Sequence, residues 1–440
     1  MVDIPQSSLW QRVRGRKPSV HASQGSSLWQ RHRTRKQARR ERRLARSNPF
    51  LRHPVRTGAL VVVVGLTPVW WSLGSALTNP GMGPTVAGRF AEWLRDNGGR
   101  SVVVFVENWW YEHHQPATGG RPPTGAIPPP ASTVGTAIIT PVHHGDGGDP
   151  DPKATVPTLP TPANLKPLAS SPIAGEGQWH TVGRKVHGQY AIYEAFLRPD
   201  AVYTSLVSGV AWMDMKLLRA TLYSGSYIPG GGPYKYSAPI EPAAARTLMA
   251  LFNSGFRMQD TNGGYYTDGR QVAPFRNGAA SFVIYRDGSV NIGAWGSEVR
   301  MTPQVAQVRQ NVNMLVDHGQ VTPGLNAADT TQWGFTLGNQ VFVPRSGVGI
   351  TANGALVFVA GELNITDLAQ LLAHAGAVRA MELDINPGWV DFVTFNPSTS
   401  NGLASPANGT NMLPALMPSS GPARYFQSWW QRDFFTISAR

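Results

Sequence analysis

The sequence predicts an α+β domain on a mixed, largely antiparallel sheet with interleaved hairpins and helices, preceded by one transmembrane helix and a Pro-rich linker. Three observations predict it. An uncharged apolar run lies near the N-terminus, a Pro- and Gly-rich stretch follows that cannot bury a core, and beyond it hairpin signals alternate with helical periodicity.

Charge divides the chain first. Residues 1–56 hold 15 of the 39 Lys and Arg and only two acids, Asp3 and Glu41, so this segment carries the whole net charge of +13. The remainder is balanced. A basic pI ordinarily suggests a nucleic-acid partner, but here the signal belongs to a tail, and no nucleic acid is expected for the folded domain. The tail repeats SSLWQR at Ser7–Arg12 and Ser26–Arg31 and reads as a disordered cytoplasmic topology signal, with anionic lipid as the partner its arginines would attract.

Residues 57–78 follow as the membrane anchor. Gly58 to Leu77 is a run of about 20 apolar residues, which at ~1.5 Å per residue spans ~30 Å of hydrocarbon. Trp70 and Trp71 sit toward its outer end as interfacial aromatics, and Pro68 is of a kind tolerated in membrane helices. With all the excess Arg and Lys on the N-terminal side, the positive-inside rule places the C-terminal part outside the cytoplasm. Gly74 and Ala76 also offer a small-x-small pattern for a signal peptidase, but the long basic segment before the run favours an uncleaved anchor. The absence of cysteine means an exported domain held by its core rather than by disulfides, and the preponderance of Arg over Lys suggests a GC-rich bacterial genome.

In the stalk, residues 79–115, Val86, Phe90, Trp93 and Leu94 recur at helical spacing, and SVVVFV at Ser101–Val106 reads as a short strand. Whether the stalk folds locally or packs on the main domain is open from sequence. Residues 116–172 contain 14 prolines and form the linker, an extended spacer in which His143, His144, Asp146 and Asp149 are read as a solvated loop.

Residues 173–440 form the globular domain. Ala191–Phe196, Ala201–Trp212 and Leu217–Tyr223 read as strands, and Pro242–Phe252 as a helix opened by proline. Ala280–Tyr285 and Ser289–Trp295 flank Asp287-Gly288 as a hairpin, and GVGIT and ALVFV flank Asn353-Gly354 as a second. Gln304–His318 shows helical periodicity. Thr366–Ala375 is a further helix, with Thr366 or Asn364 as its cap, leading through Gly376 into the strand Val378–Ile385.

Three places carry chemistry. On the last strand, alternation puts Glu382 and Asp384 on one face, their backbones roughly 6.5–7 Å apart at ~3.3 Å per residue. Such a pair can divide acid and base roles, or can simply be two solvent-facing acids. The strand then runs into Asn386-Pro387-Gly388-Trp389, a turn. The second place is Asn253-Ser254-Gly255-Phe256, where Asn can bridge a carboxylate or sugar hydroxyl and Gly lets a ligand approach the backbone. Arg257, Asp260, Asn262, Tyr265, Tyr266 and Asp268 follow, a polar and aromatic mix suited to sugars. The third is Pro344-Arg345-Ser346-Gly347, whose guanidinium matches a phosphodiester or carboxylate.

These pieces, in this order, resemble the phosphodiester glycosidase family, which includes an N-acetylglucosamine-1-phosphodiester α-N-acetylglucosaminidase and bacterial members associated with exopolysaccharide pathways. Asn253–Phe256 resembles the family's Asn-Gly-Gly-Phe motif, and Pro344–Asp384 its Pro-Arg-Thr segment, hairpin, helix and Ala-x-Asn-Leu-Asp strand. The resemblance implies a hydrolase of sugar-1-phosphodiesters in envelope or exopolysaccharide glycans. Asp384, Glu382, Arg345 and Asn253 are its catalytic candidates, and Gly255, Arg257, Tyr266 and Trp389 its substrate-binding candidates. No cofactor or metal motif is present. One departure stands out: where the family strand runs into Asp-Gly-Gly-Gly-Ser-Ser, Asp384 here is followed by Ile385, Asn386, Pro387, Gly388 and Trp389, and Glu382 stands where Asn is usual. Fewer glycines limit backbone approach to a phosphate. The alternative is therefore a non-catalytic glycan-binding or envelope-assembly protein on the same fold.

Overall fold

The computed structural model describes residues 25–47, 54–83, 85–130, 156–325, 342–386, 388–398, 402–416, 421–428 and 432–440. The expectations for residues 131–155, including the His143-His144 segment, lie outside them. Met1–Ser72 and Leu73–Arg440 are two separate units.

In the first unit Gly25–Ser47 is a helix (α1), where the sequence reading expected disorder. Its Arg, Ala, Gln and Leu content explains this, since these are strong helix formers. Pro54–Thr78 (α2), which begins in this unit and ends beyond Ser72, is long and apolar enough to cross a membrane, with a mean hydropathy of 1.8 and Pro68 inside it. Trp70 and Trp71 are exposed on it.

In the second unit the stalk is a helical hairpin. Val86–Leu94 (α3) is capped by Thr85, whose side chain accepts from the Gly88 N–H. It breaks at Asn97 and Gly98, where Gly98 takes φ +86°, and continues as Arg100–His113 (α4). The strand expected at Ser101–Val106 is thus helical. Its β-branched residues have no strand beside them to pair with, and a helix satisfies its own backbone.

An eight-stranded sheet contains, in spatial order, β1 (His180–Val182), β2 (Ile192–Leu197), β3 (Ser208–Met213), β14 (Leu356–Leu363), β13 (Val343–Thr351), β15 (Ala377–Glu382), β11 (Met314–Asp317) and β12 (Gln320–Val321). A second sheet runs β7 (Arg270–Ala273), β6 (Tyr265–Thr267), β10 (Val305–Gln310), β8 (Ala280–Tyr285), β9 (Val290–Ala294). A third runs β17 (Gly409–Asn411), β16 (Phe392–Phe395), β5 (Leu248–Asn253), β18 (Phe434–Ala439), β4 (Leu218–Tyr223). Every ladder between these strands is antiparallel, and parallel pairing among the described residues is confined to isolated bridges such as Ser224 with Ser237. Both hairpins fall where Asp287-Gly288 and Asn353-Gly354 mark them, Gly288 and Gly354 having φ +78° and +88°.

Two helical expectations are corrected. Proline does open a helix at Pro242–Ala245 (α5), but Leu248–Asn253 is a strand with every residue buried. Gln304–His318 is two strands, β10 and β11, not a helix. Leu248–Asn253 is a nearly continuous apolar run, which serves a fully buried strand as well as a buried helix, and in β10 the buried Gln307, Arg309 and Gln310 break the apolar alternation of a strand. The helix Ile365–His374 (α7, after α6 at Met258–Thr261) is as expected, with Asn364 as the cap accepting from the Asp367 N–H at 2.8 Å.

Helix α7 lies on one face of the large sheet, burying Leu368, Leu371 and Leu372 with Val210, Trp212, Val357 and Val359. From the opposite face Val348, Phe358, Ala360, Met381 and Leu383 meet Phe252, Phe282, Phe392 and Phe435 of the two smaller sheets. Strand residues alternate between these two cores. The ends of β5, β13 and β15 emerge together, and this is where the charged residues collect.

Candidate functional site

Asn253 ends β5, Ser346 lies on β13, and Asp384 follows β15, which continues the ladder briefly as the Leu383 N–H donates to Ser346 O at 2.8 Å. Asn253 Nδ2 donates to Ser346 Oγ at 3.0 Å, and Ser346 Oγ donates to Asp384 O at 3.1 Å. Asn253 Oδ1 accepts from the Asp391 N–H at 3.2 Å. Residues more than 130 positions apart are thus tied together, and the Asn253 amide holds three strand ends.

The two acids have different partners. Glu382 Oε1 accepts from Arg345 Nη1 at 2.7 Å, and Arg345 Nε also donates to Leu363 O at 2.9 Å. Both side chains are completely buried. The sequence reading aimed Arg345 at a substrate phosphate; its place on an interior strand, bracketed by β14 and β15, turns it on Glu382 instead. Burial pushes the Glu382 carboxyl up to about 7 against the pull of Arg345, and Asp384 adds to the rise. Asp384 belongs to another group. Its Oδ1 accepts from the Asn386 N–H at 2.9 Å, and its Oδ2 lies 3.6 Å from Arg432 Nη2. Burial raises the Asp384 carboxyl above the ordinary range, Arg432 and the Asn386 amide pull it down, and the charge of Glu92 raises it again.

Glu92 comes from the stalk. This α3 residue is buried, donates nothing as a carboxylate, and accepts from Arg95 Nη1 at 2.7 Å, Arg257 Nη1 at 3.2 Å and Asn386 Nδ2 at 3.3 Å. Arg257 also donates to Asp96 at 2.8 Å and to Asp260 at 2.9 Å, and these acids together push its guanidinium pKa up despite burial. The question of the stalk is settled by these contacts: it packs on the domain, at the mouth of the charged cluster.

Of the remaining candidates, Trp389 is buried with the Arg432 guanidinium 4.4 Å from its ring centre. Gly255 faces inward, since a Cβ there would meet Asn311 at 3.2 Å and Arg309 at 3.4 Å. Tyr266 is not brought to the cluster. It lines a separate cleft of about 720 Å³ with Tyr223, Tyr236 and Asp268.

Sequence reasoning missed Glu92, Arg432 and Asn311. Asn311 Nδ2 donates to the carbonyls of Glu382 and Leu383 at 2.6 and 3.0 Å, and its Oδ1 accepts from the Phe256 N–H at 3.3 Å, joining the two motifs. It sits in a segment read as helical, which hid it. Arg309, two residues earlier on β10, donates to Asp433 at 2.7 Å beside the same loop. Among the described residues the group spaced to hold a cation is Glu298, Asp317 and His318, on another part of the fold.

The domain is therefore a helix-and-antiparallel-sheet fold, with no closed barrel among the described residues, that gathers buried carboxylates and arginines where its central strands end. Residues 246–384 match the phosphodiester glycosidase family. No curated protein matches. Among solved structures, the zebrafish N-acetylglucosamine-1-phosphodiester alpha-N-acetylglucosaminidase catalytic domain, auto-inhibited by pro-peptide, is 14% identical over 60% of this chain and 88% of its own, with a TM-score of 0.38. A hypothetical protein from Synechocystis is 12% identical over 62% of this chain and 64% of its own, with a TM-score of 0.31.

Proposed function

We propose that this chain is a membrane-anchored, extracytoplasmic hydrolase that cleaves sugar-1-phosphodiester bonds in envelope or exopolysaccharide glycans. The observation that carries the reading is Asp384. It lies at the end of the family-matched segment, buried, with its carboxylate held by the Asn386 N–H and facing Arg432.

In the proposed reaction water adds to the sugar C1 as the C1–O bond to phosphorus breaks, and the phosphate monoester leaves with the bonding pair. The phosphate needs little protonation to depart, unlike the alcohol released by a two-carboxylate glycosidase. Asp384 takes a proton from the water or stabilises the oxocarbenium-like carbon. Arg257, which shares the Glu92 carboxylate with Asn386, is the cation that would balance the departing charge. Asn253, Asn311 and the Arg345–Glu382 pair are positioning residues, since their polar atoms are spent on holding the strand ends. Trp389 forms the wall behind Arg432. Helix α2 supplies the anchor, and the basic residues before it set the orientation.

The test is turnover by the full-length chain, purified in detergent, on a panel of sugar-1-phosphodiesters. Asp384→Asn preserves shape and removes the charge, so a loss of about 10² in rate or more, roughly 2.7 kcal/mol of barrier, is expected. The acid limb of the rate profile should lie above the usual carboxylate range, because Asp384 must be ionised and its folded pKa is raised. Glycan binding without turnover, equally good in Asp384→Asn, would replace this reading with the non-catalytic binding protein.

A further inference from the structure

The family match stops at Asp384, yet a cation from well beyond it points at that residue. Arg432 precedes β18 and is 8% exposed. Its Nη2 approaches Asp384 Oδ2 at 3.6 Å, longer than a charge-assisted hydrogen bond, and its ring-facing side stacks on Trp389 at 4.4 Å. Its Nη1 is buried with no hydrogen-bond partner among the described residues. A buried guanidinium N–H left unmade is costly, and one left so beside a reactive carboxylate marks a place prepared for an anion.

The neighbouring donors carry the argument further. Arg257 Nη1 and Asn386 Nδ2 both aim at one carboxylate, that of Glu92, which reaches in from α3. A second acid of the same stalk, Asp96, shares Arg257 Nη1 and feels the charge of Arg432. Three donors from separate parts of the domain converge here, at positions 257, 386 and 432. The stalk brings two negative charges to them, against the electrostatic preference of Asp384. A carboxylate and a phosphate diester present the same chemistry to such donors: planar or tetrahedral oxygens carrying one negative charge.

We propose that Arg432, with Arg257 and Asn386, forms the subsite for the substrate's phosphate, and that Glu92 fills this subsite until a phosphorylated ligand displaces it. The first half names the ligand residues of the site and rests on the hydrolase reading above; the second gives the membrane-proximal stalk a function. Asn386 belongs to the turn in which this chain departs from its family. There its side chain supplies a carboxamide donor.

The experiment is titration calorimetry of the full-length chain in detergent with inorganic phosphate, which needs no turnover. Arg432→Gln should weaken phosphate binding about tenfold or more, with Arg432→Lys between it and the parent, while thermal unfolding stays unchanged. Glu92→Gln should tighten binding about fivefold or more, because the internal rival loses its charge. On a hydrolysable diester, Arg432→Gln should raise KM more than it lowers kcat, a split that a purely structural role beside Trp389 would not produce. Unchanged phosphate affinity in a folded Arg432→Gln, or in Glu92→Gln, overturns the proposal. If Arg432→Gln does not fold, the Glu92→Gln measurement decides alone. Phosphate binding that follows these variants without any diester turnover would sink the hydrolase reading and leave the anion subsite standing.

Discussion

Replacing Arg345 by Met tests whether the inner half of the charged cluster is scaffold. Arg345 and Glu382 are fully buried, 2.7 Å apart, and Glu382 Oε2 already lacks a hydrogen-bond partner. Without the guanidinium, Oε1 loses its donor and Leu363 O loses the Nε–H. Removing one member of a buried ion pair strands the other charge, a loss of roughly 3–5 kcal/mol. The deficit should depend on pH. The folded pKa of Glu382 is raised above its unfolded value, so its contribution to stability is present below the ordinary carboxylate range and is lost as pH rises through about 7. With Arg345 gone the rise is larger, and the variant should therefore be much weaker than the parent at pH 8 and closer to it at pH 5. Adding Glu382→Leu should recover most of the loss, since an apolar pair replaces a buried ionic one at little cost. Denaturant unfolding followed by fluorescence at the two pH values measures all three proteins. A single variant within about 1 kcal/mol of the parent at pH 8, or a deficit no smaller at pH 5, would refute the argument.

Phe252→Ala should destabilise the domain by about 3–5 kcal/mol in the same assay, because its ring is fully buried against Phe358, Phe392 and Phe435 at 5.3, 6.0 and 5.4 Å. Burial raises the Glu194 carboxyl to about 8, so the parent should lose stability as pH climbs from the carboxylate range through 8; Glu194→Gln should not, and the two melting curves should diverge on the alkaline side. A reporter fused after Arg440 should be active only outside the cytoplasm, and one fused before Val55 only inside; the reverse pattern would overturn the proposed orientation.

What was legible in the sequence follows from how local each signal is. Asp287-Gly288 and Asn353-Gly354 fixed both hairpins because a two-residue turn needs positive φ and Gly supplies it. Asn364 is likewise a cap whose partner lies three residues away. Leu248–Asn253 is an apolar run covered on both faces, which has no period to read, and Val305–Gln310 buries Gln307, Arg309 and Gln310, polar residues that break the apolar alternation a strand would show. The same distinction divides the site. The motifs around Asn253, Arg345 and Asp384 are legible by their types and order, while the partners their side chains take are not. An arginine before a hairpin looks like a substrate ligand in sequence, and only the pairing of β13 with β15 shows that its partner is Glu382.

Two members of the outer charged group, one cation and one acid, were not legible in the sequence. Arg432 lies 48 positions beyond Asp384, and Glu92 nearly 300 before it, in a segment assigned to the stalk. Nothing local distinguishes either from a surface charge. They are recognised by a mismatch that exists only in three dimensions, in which Arg432 is buried with an N–H to spare while Arg257 and Asn386 are saturated by an acid from outside the domain's own sheets. Saturated polar groups hold a fold, as Asn253, Asn311 and Arg345 do here. Donors left open, or closed by a displaceable side chain, are where a ligand gains by binding. The turn Ile385–Trp389, which by motif alone counted against activity, lies on the second side of that division, because Asn386 gives its N–H to Asp384 and its amide to Glu92.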